Sequence, residues 1–402
     1  MKTALSRLGQ RTEAPPISWL MNLALSRPNL ISLAAGFTDN ESLPVDFTRE
    51  ITDQILRHAR HGPPALQYGP TPGDPTLREL TADRLYDMDR AGASRTARRR
   101  YPVDRTIITN GSQQLLYILT EALFDPGDIV LVEDPTYFVY LGIAQSHGLR
   151  CRGIRMETDG INLDHLESVL KSLKKSGDLK RLKLLYLVTY YQNPGCLTTS
   201  LAKKKAALEL LAKYEPAAGH PLYLLEDAAY RELRFQGADT PSALTLKGSE
   251  ERVIYTGTYS KPFATGIRAG YGILPASLLN VATRIKGNHD FGTANLVQQV
   301  LIRALQSGKY ESHVAQLRER YAHKAEVMLA AMRKHFPDHV TWPETRGGLY
   351  YWVGTPKHLK TGMKSKFFQA ALDAGVFYVP GSLCYADDPT RRRPDHEMRL
   401  SF

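Results

Sequence analysis

The sequence predicts an α/β protein: a mostly parallel sheet covered by helices on both faces, followed by a smaller α+β unit. Three observations lead there. Six short apolar, β-rich runs (RTIIT, DIVLVE, LLYLVT, LYLLED, RVIYTGT and AGYGIL) alternate with helical patterns at 112–124, 136–147, 163–175 and 200–213. Short continuous apolar strands between helices belong to a sheet buried on both sides. After residue 275 the pattern shifts to long helical segments, and 402 residues exceed what one hydrophobic core ordinarily organises.

Residues 1–30 are punctuated by proline and read as an arm with one short helix around ISWLMNLAL. DFTREITDQILRHAR (46–60) carries apolar residues at helical spacing behind a proline. The alternating region begins near residue 100. Helical patterns at 276–288, 293–307 and 309–336 then lead into GGLYYWV, a helix at 364–373 and a last strand, EMRLSF. The expected division is an N-terminal arm with part of the small domain at 1–45, a large cofactor-binding domain at 46–285, and a C-terminal small domain at 286–402.

Bulk composition narrows the function classes. A hydrophobic share of 43% with 23% charged residues is that of an ordinary globular chain. No run approaches the roughly 20 apolar residues of a membrane span, and MKTALSRLGQRTEAPP lacks the apolar core of a secretory signal. Three cysteines (Cys151, Cys196 and Cys384), odd in number and far apart, argue against a disulfide framework or a zinc site. A cytoplasmic protein without metal or membrane partner is expected. The net charge of +11 raises nucleic acid as a partner, but the excess sits in SRTARRR (94–100), LKSLKKSGDLKRLK (170–183) and TRRRPDHE (390–397). These lack interleaved aromatics and zinc-finger spacing. Solvated faces and loop tips account for them better, and a basic surface also attracts anionic substrates. No nucleic-acid partner is expected.

One lysine needs its own explanation. TGTYSKPFATGIRAGYG (256–272) places Lys261 among small and hydroxyl residues at a strand end and tight turn, with Arg268 seven positions later. An ammonium is seldom buried without a partner. Other strand ends offer company. TNGSQQ supplies Gly111, Ser112 and Gln113 at a helix start, where N–H groups and a hydroxyl suit a phosphate, although Gly-Ser there is often only a cap. EDPTYF sets Tyr137 past a strand, where a core aromatic would also sit, and YYQNPGC ends another strand in a turn bearing Asn193. LLEDAAYREL drives Glu226 and Asp227 off an apolar strand end, with Tyr230 one turn on; a buried strand ending in Asp calls for a cationic partner. Singly, each is ambiguous. Together, at the carboxyl ends of strands where open α/β sheets bind ligands, they describe a site for a ring carrying a phosphate, an aldehyde and a basic nitrogen. Ser112, Gln113, Thr258, Ser260 and Arg268 would take the phosphate, Asp227 the ring nitrogen and Lys261 the aldehyde.

These stretches resemble a fold-type I pyridoxal-5′-phosphate enzyme of the class I/II aminotransferase family. Within it they resemble the branch of 2-aminoadipate and kynurenine aminotransferases and the effector domains of MocR-type regulators. The resemblance runs from about residue 28 to the end, through LISLAAGF, LQYGPTPGDPTLREL, TNGSQQLL, YQNPGC, EDAAYREL, GTYSKPFATGIRAGY and MRLSF, in the family's order. It implies a mostly parallel seven-stranded sheet sandwiched by helices, a smaller α+β domain, pyridoxal 5′-phosphate, amino acid and 2-oxo acid substrates, and a homodimer with shared active sites. Lys261 is implied to form the Schiff base and, once freed, to move the proton between Cα and the cofactor. Asp227 is implied to keep the pyridine nitrogen protonated, Asn193 and Tyr230 to bond the ring O3′, and Tyr137 to stack on the ring. By the same resemblance Tyr68 reaches the phosphate of the neighbouring subunit, and Arg399 with Asn193 clamps the substrate α-carboxylate. Gly36 lies where backbone passes over the substrate.

The sequence departs from the family pattern in four places. N-P-T-G reads Asn193-Pro194-Gly195-Cys196, so the loop is expected to bend differently after Asn193. E-D-x-x-Y carries Ala228 and Ala229, one polar group fewer near Asp227, and P-G-x-R reads Thr265-Gly266-Ile267-Arg268. The sequence stops at Phe402, where the family generally continues with another helix, implying a small domain that is trimmed or closes differently. Three classes of function compete: an aminotransferase, a lyase, decarboxylase or synthase on the same scaffold, and a non-catalytic effector-binding domain. About 30 residues ahead of the resemblance are too few for a winged helix-turn-helix, and the set Asn193, Arg268, Arg399 and Tyr230 favours transamination. Relatives specific for dicarboxylic donors carry an N-terminal arginine where this sequence has Met21 and Asn22, with Arg27 displaced. The lining implied by Leu20, Met21, Leu33 and Tyr350 favours aromatic or branched aliphatic donors, with 2-oxoglutarate or pyruvate as acceptor.

Overall fold

The computed structural model describes residues 4–27, 29–34, 36, 38–90 and 101–402; the basic run at 94–100 and the side chain of Met21 lie outside the described residues. In chain order the strands are β1 (Ile31–Ser32), β2 (Thr106–Thr109), β3 (Ile129–Asp134), β4 (Arg150–Glu157), β5 (Gly160–Ile161), β6 (Leu182–Val188), β7 (Tyr223–Asp227), β8 (Val253–Thr258), β9 (Gly270–Ile273), β10 (Tyr350–Gly354), β11 (Val376–Phe377), β12 (Val379–Pro380) and β13 (Glu397–Ser401).

The large sheet runs β2-β9-β8-β7-β6-β3-β4-β5. From β8 to β4 the neighbours pair in parallel; β9 is antiparallel to both β2 and β8, and β5 is antiparallel to β4. Seven strands make the expected sheet, and β5 adds two residues at one edge. All residues of β2, β8 and β9 are buried, which is why these segments carry unbroken apolar or small residues. No apolar run announces β4, because RCRGIRME lies near the edge and carries three half-buried or exposed arginines.

The strand order reverses between β3 and β6. From β3 the chain steps outward to β4, whereas from β6 it steps the other way through β7 and β8. Loops diverging from such a point open a crevice at the carboxyl ends of the strands. Tyr137 follows β3, Asn193 follows β6, and Asp227 closes β7.

Helices form where the periodicity predicts them, among them Val45–Arg57, Ser112–Leu123, Phe138–His147, Leu163–Ser176 and Leu201–Ala218. Helix Pro75–Asp89 is less visible in sequence, because its buried stripe (Leu77, Thr81, Ala82, Leu85 and Asp89) is partly polar.

β10, β13 and β12 form a second, antiparallel sheet in which Arg399 stands opposite Trp352 on one side and Val379 on the other. Along β10, Tyr350 and Trp352 belong to the main core while Tyr351 and Val353 belong to a second apolar cluster, the two-residue period of a strand between two layers. β1 pairs in parallel with β11, and Leu33 N–H donates to Phe377 O at 2.9 Å while its carbonyl accepts from Ser401 N–H at 2.7 Å. That stitching sets Ala34 and Gly36 over the crevice. Among the described residues, no helix is long and apolar enough to cross a membrane.

Candidate active site

Ser112, Gln113, Tyr137, Asp227, Tyr230, Thr258, Ser260, Lys261 and Arg268 line one cavity at the carboxyl ends of the large sheet, together with Val188, Ala229 and Thr265. Strand register gathers one end of it. Gly270 of β9 stands opposite Thr109 of β2 and Thr258 of β8, so the turn after β2 and the turn after β8 lie side by side. Glycine is required there, since a Cβ on Gly270 would stand 2.3 Å from Ser112 N. Gly111 has φ 74°, and a Cβ on it would meet Arg268 Nη2 at 2.5 Å. The guanidinium therefore rests against the start of helix Ser112–Leu123, which no side chain caps. Free N–H groups, the helix dipole and Arg268 make this end suited to a phosphate. Arg268 itself takes the left-handed conformation (φ 46°), costly for a non-glycine residue. Its Nη1 donates to Ser260 Oγ at 3.0 Å, and Ser260 N–H donates to Thr258 Oγ1 at 3.0 Å.

At the centre, Asp227 is buried. Its Oδ2 accepts from Tyr186 OH at 2.8 Å and its Oδ1 from Ala229 N–H at 3.2 Å. Burial lifts the carboxyl to about 6. The cationic partner expected for this strand end belongs instead to the neighbouring residue: Glu226, pointing to the other face of β7, pairs with Lys204 at 2.5 Å. Among the described residues Asp227 meets only neutral donors, which leaves it free for a protonated ring nitrogen.

Lys261 is half-buried and donates to Gly36 O at 2.7 Å. Burial, then the charges of Arg399 and Arg268, bring its amine down to about 8. A neutral amine is thus within reach near neutral pH.

Asn193 and Arg399 are not among the residues that line this cavity but join it through Tyr230: Asn193 Nδ2 donates to Tyr230 OH at 3.0 Å, and its Oδ1 accepts from Arg399 Nη1 at 2.7 Å. Arg399 is buried, donates through Nη2 to Ala34 O at 2.7 Å and lies 4.1 Å over the Tyr350 ring. Its Nε has no hydrogen-bond partner, and among the described residues no carboxylate pairs with it. A buried guanidinium lacking an acid is costly unless a ligand carboxylate completes it. In the loop after Asn193, the left-handed position falls on Cys196 (φ 64°), whose Sγ donates to Tyr350 O at 3.0 Å. Gly195 N–H is held by Gln192 Oε1 at 2.8 Å, so Asn193 keeps both its contacts despite the displaced glycine.

Tyr68 is not part of this cavity. It is 82% exposed and stacks edge-on against Phe291 beside a surface cleft lined by Asp290, Thr293 and Asn295. Sequence reasoning missed Tyr186, which holds Asp227, and the Ala34 carbonyl on Arg399. It took Tyr350 only as lining, yet its hydroxyl also meets Tyr230 OH at 3.1 Å. The unpaired Asp227 carboxylate, the uncapped helix start beside Arg268 and the depressed Lys261 amine fit pyridoxal 5′-phosphate at ring nitrogen, phosphate and aldehyde respectively.

The comparisons agree. The family description Aminotransferase class I and II matches residues 28–401. Aromatic-amino-acid aminotransferase 1 of Thermococcus litoralis is 32% identical, over 93% of this chain and 84% of that one. The 2-aminoadipate transaminase of Thermus thermophilus is 30% identical, over 98% and 90%. The crystal structure of Pyrococcus horikoshii kynurenine aminotransferase superposes with a TM-score of 0.87 at 31% identity, covering 99% of this chain and 92% of its own. The chain belongs to the class I and II aminotransferase family and is a pyridoxal-phosphate-dependent transaminase.

Proposed function

We propose that this transaminase takes its amino group from an aromatic or branched aliphatic amino acid and delivers it to 2-oxoglutarate or pyruvate by ping-pong chemistry. In this reading it works as a cytoplasmic homodimer, with no nucleic-acid or membrane partner, and Tyr68 serves the neighbouring subunit's phosphate end. The observation that carries the proposal is Arg399, a buried guanidinium with a free Nε and, among the described residues, no acid of its own.

The cofactor supplies an electron-withdrawing ring that makes the substrate Cα–H acidic. The chain supplies the rest. Lys261 Nζ, held to about 8, takes and returns the proton at Cα. Asp227 would pair with a protonated ring nitrogen, Asn193 and Tyr230 would bond the ring hydroxyl, and Tyr137 would meet the ring. Ser112, Gln113, Thr258, Ser260 and Arg268 would hold the phosphate. Arg399 and Asn193, under the Gly36 backbone, grip the α-carboxylate, the one group that donor and acceptor share.

Donor choice rests on the N-terminal segment and on Tyr350, whose ring lies against Arg399. Helix Pro16–Ser26 carries no cationic residue, and Arg27 after it is exposed. Leu20, Leu33 and Tyr350 favour an apolar or aromatic side chain. Aromatic and kynurenine aminotransferases among the relatives support this choice; the 2-aminoadipate enzyme represents the competing dicarboxylic one. The test is single-turnover conversion of the cofactor, followed by absorbance, with phenylalanine, tyrosine, leucine, aspartate and 2-aminoadipate. Phenylalanine, tyrosine or leucine should react fastest. Faster conversion by 2-aminoadipate or aspartate would overturn the donor assignment, and carbon dioxide release in place of amino transfer would point to the decarboxylase alternative.

A further inference from the structure

The turn that shapes the phosphate end of the cavity is held from outside it. Asp290 is the last residue of helix Ala276–Asp290, where a carboxylate opposes the helix dipole. Phe291 follows it at a positive φ of 60°, a backbone conformation that a side-chain-bearing residue seldom adopts. Both features are locally unfavourable, so the surroundings must offset them. Asp290 Oδ2 accepts from Asn110 Nδ2 at 2.6 Å and from Gln114 Nε2 at 2.7 Å. Lys286 Nζ, on a fully buried side chain, donates to Oδ1 at 2.8 Å and to Oδ2 at 2.7 Å. Gln114 Oε1 closes the circuit by accepting Asn110 N–H at 2.8 Å.

Asn110 is thereby fixed through both backbone and side chain, by groups that do not line the cavity. It immediately precedes Gly111, where a Cβ would already stand only 2.5 Å from Arg268 Nη2. A drift of this turn would carry the helix start at Ser112 and Gln113 away from Arg268.

We propose that Asp290 is a positioning residue for cofactor binding: through Asn110 and Gln114 it holds the 109–112 turn so that the helix start and Arg268 converge on the phosphate. This rests on the cavity being the pyridoxal-phosphate site with its phosphate end at Ser112. An aspartate that merely pairs with Lys286 one helical turn back would stabilise the helix without discriminating between ligands.

The experiment titrates full-length, cofactor-free protein with pyridoxal 5′-phosphate and with pyridoxal, which has the aldehyde and ring but no phosphate. Asp290→Asn keeps the shape but removes a charged acceptor of several bonds. Its dissociation constant for pyridoxal phosphate should rise about tenfold or more, while that for pyridoxal stays within about twofold. Asn110→Ala, which leaves the Asp290–Lys286 pair intact, should repeat the pattern and carries the test if Asp290→Asn does not fold. Equal loss of both ligands, or loss of neither, overturns the proposal. Wild-type protein that binds both ligands equally would sink the assignment of the phosphate end and the proposal with it. A wild-type preference that survives intact in both variants sinks the role of Asp290 alone.

Discussion

Two lysines approach β7 from opposite faces and are treated in opposite ways. Lys204 is fully buried, with Glu226 Oε1 at 2.5 Å, Tyr190 OH at 3.1 Å and Pro241 O at 3.0 Å. Glu226 is filled in turn by Thr189 Oγ1 and Ala243 N–H. Nearby Arg231 lies over the same Tyr190 ring and pairs with Asp89 at 2.5 Å. Lys261 has one carbonyl and two arginines for company, and Arg399 has a carbonyl, an amide oxygen and an aromatic face. In the first cluster each cation has an acid of its own, and Arg231 also meets Asp239 at 3.1 Å. Among the described residues, no acid pairs with either cation of the second. Buried charge is costly unless compensated, so the second set awaits an anionic ligand. Partner chemistry separates a lysine that holds the fold from one that does the reaction.

Exchanging the two lysines' fates is the strongest way to break that contrast. Lys261→Ala should lower transamination by about four orders of magnitude or more, since proton transfer at Cα loses its base, while the melting temperature hardly moves. Lys204→Met should do the reverse. An uncompensated Glu226 should cost about 3–5 kcal/mol of stability, with kcat per folded molecule little changed. Lys204→Met with Glu226→Leu should recover most of the loss. Calorimetry beside single-turnover kinetics decides; a Lys204 variant as stable as wild type would end the distinction.

The adjacent acids differ in the same way, and Asp227→Asn measures it. An amide cannot hold the ring nitrogen's proton, so kcat should fall about a thousandfold, a barrier change of several kcal/mol, with cofactor retained by its visible absorbance. Turnover near wild type would make Asp227 a strand-end acid held by Tyr186 and nothing more.

Which acid meets which cation is what the sequence conceals. Buried parallel strands leave unbroken apolar runs, so their ends, and with them Asp227, Lys261 and Arg268, can be found by reading along the chain. Glu226 and Asp227 are consecutive, however, and only the pleat sends one to Lys204 and the other to the cavity. Tyr186 and Tyr350 are aromatics whose burial alone would account for them; their roles rest on distances of 2.8 and 3.1 Å that no spacing encodes. β4 hid behind its edge arginines, and helix Pro75–Asp89 behind Thr81 and Asp89 in its buried stripe. The glycine displaced in the loop after Asn193 suggested a different bend, yet Cys196 takes the left-handed position and Asn193 still meets Tyr230 and Arg399.

Arg399 separates geometry from charge. Arg399→Lys keeps the cation but loses the planar fork, so kcat/KM for donor and acceptor should both drop about a hundredfold. Arg399→Gln also removes one of the charges that hold Lys261 at about 8. The amine should then titrate higher, and capture of the cofactor aldehyde by cofactor-free protein should require higher pH; in Arg399→Lys that pH dependence should stay in place. Linkage has the matching sign. Because the folded value lies below the ordinary 10.5, the unfolded chain binds more protons between about 8 and 10.5, and cofactor-free wild type should gain stability as pH rises through that window. Identical pH dependence in the two variants would remove Arg399 from the electrostatics of Lys261.

The smallest expected effect probes the join between carboxylate grip and cofactor ring. Tyr350 presents its face to Arg399 at 4.1 Å and its hydroxyl to Tyr230 at 3.1 Å. Tyr350→Phe deletes only the second contact. The phenyl face still carries the guanidinium, so KM for donor and acceptor should stay within about twofold. Tyr230 keeps Asn193 Nδ2 and loses one neutral hydroxyl bond, about 0.5–1.5 kcal/mol. That is at most roughly a tenfold fall in kcat, accompanied by a shift in the pH at which the cofactor's visible absorbance titrates. Tyr350→Leu removes the face as well and should raise KM for both substrates together. If Tyr350→Phe alone raises both KM values, the hydroxyl and not the ring positions Arg399. If neither kcat nor the absorbance titration moves, Asn193 alone sets Tyr230, and the grip and the ring are held independently.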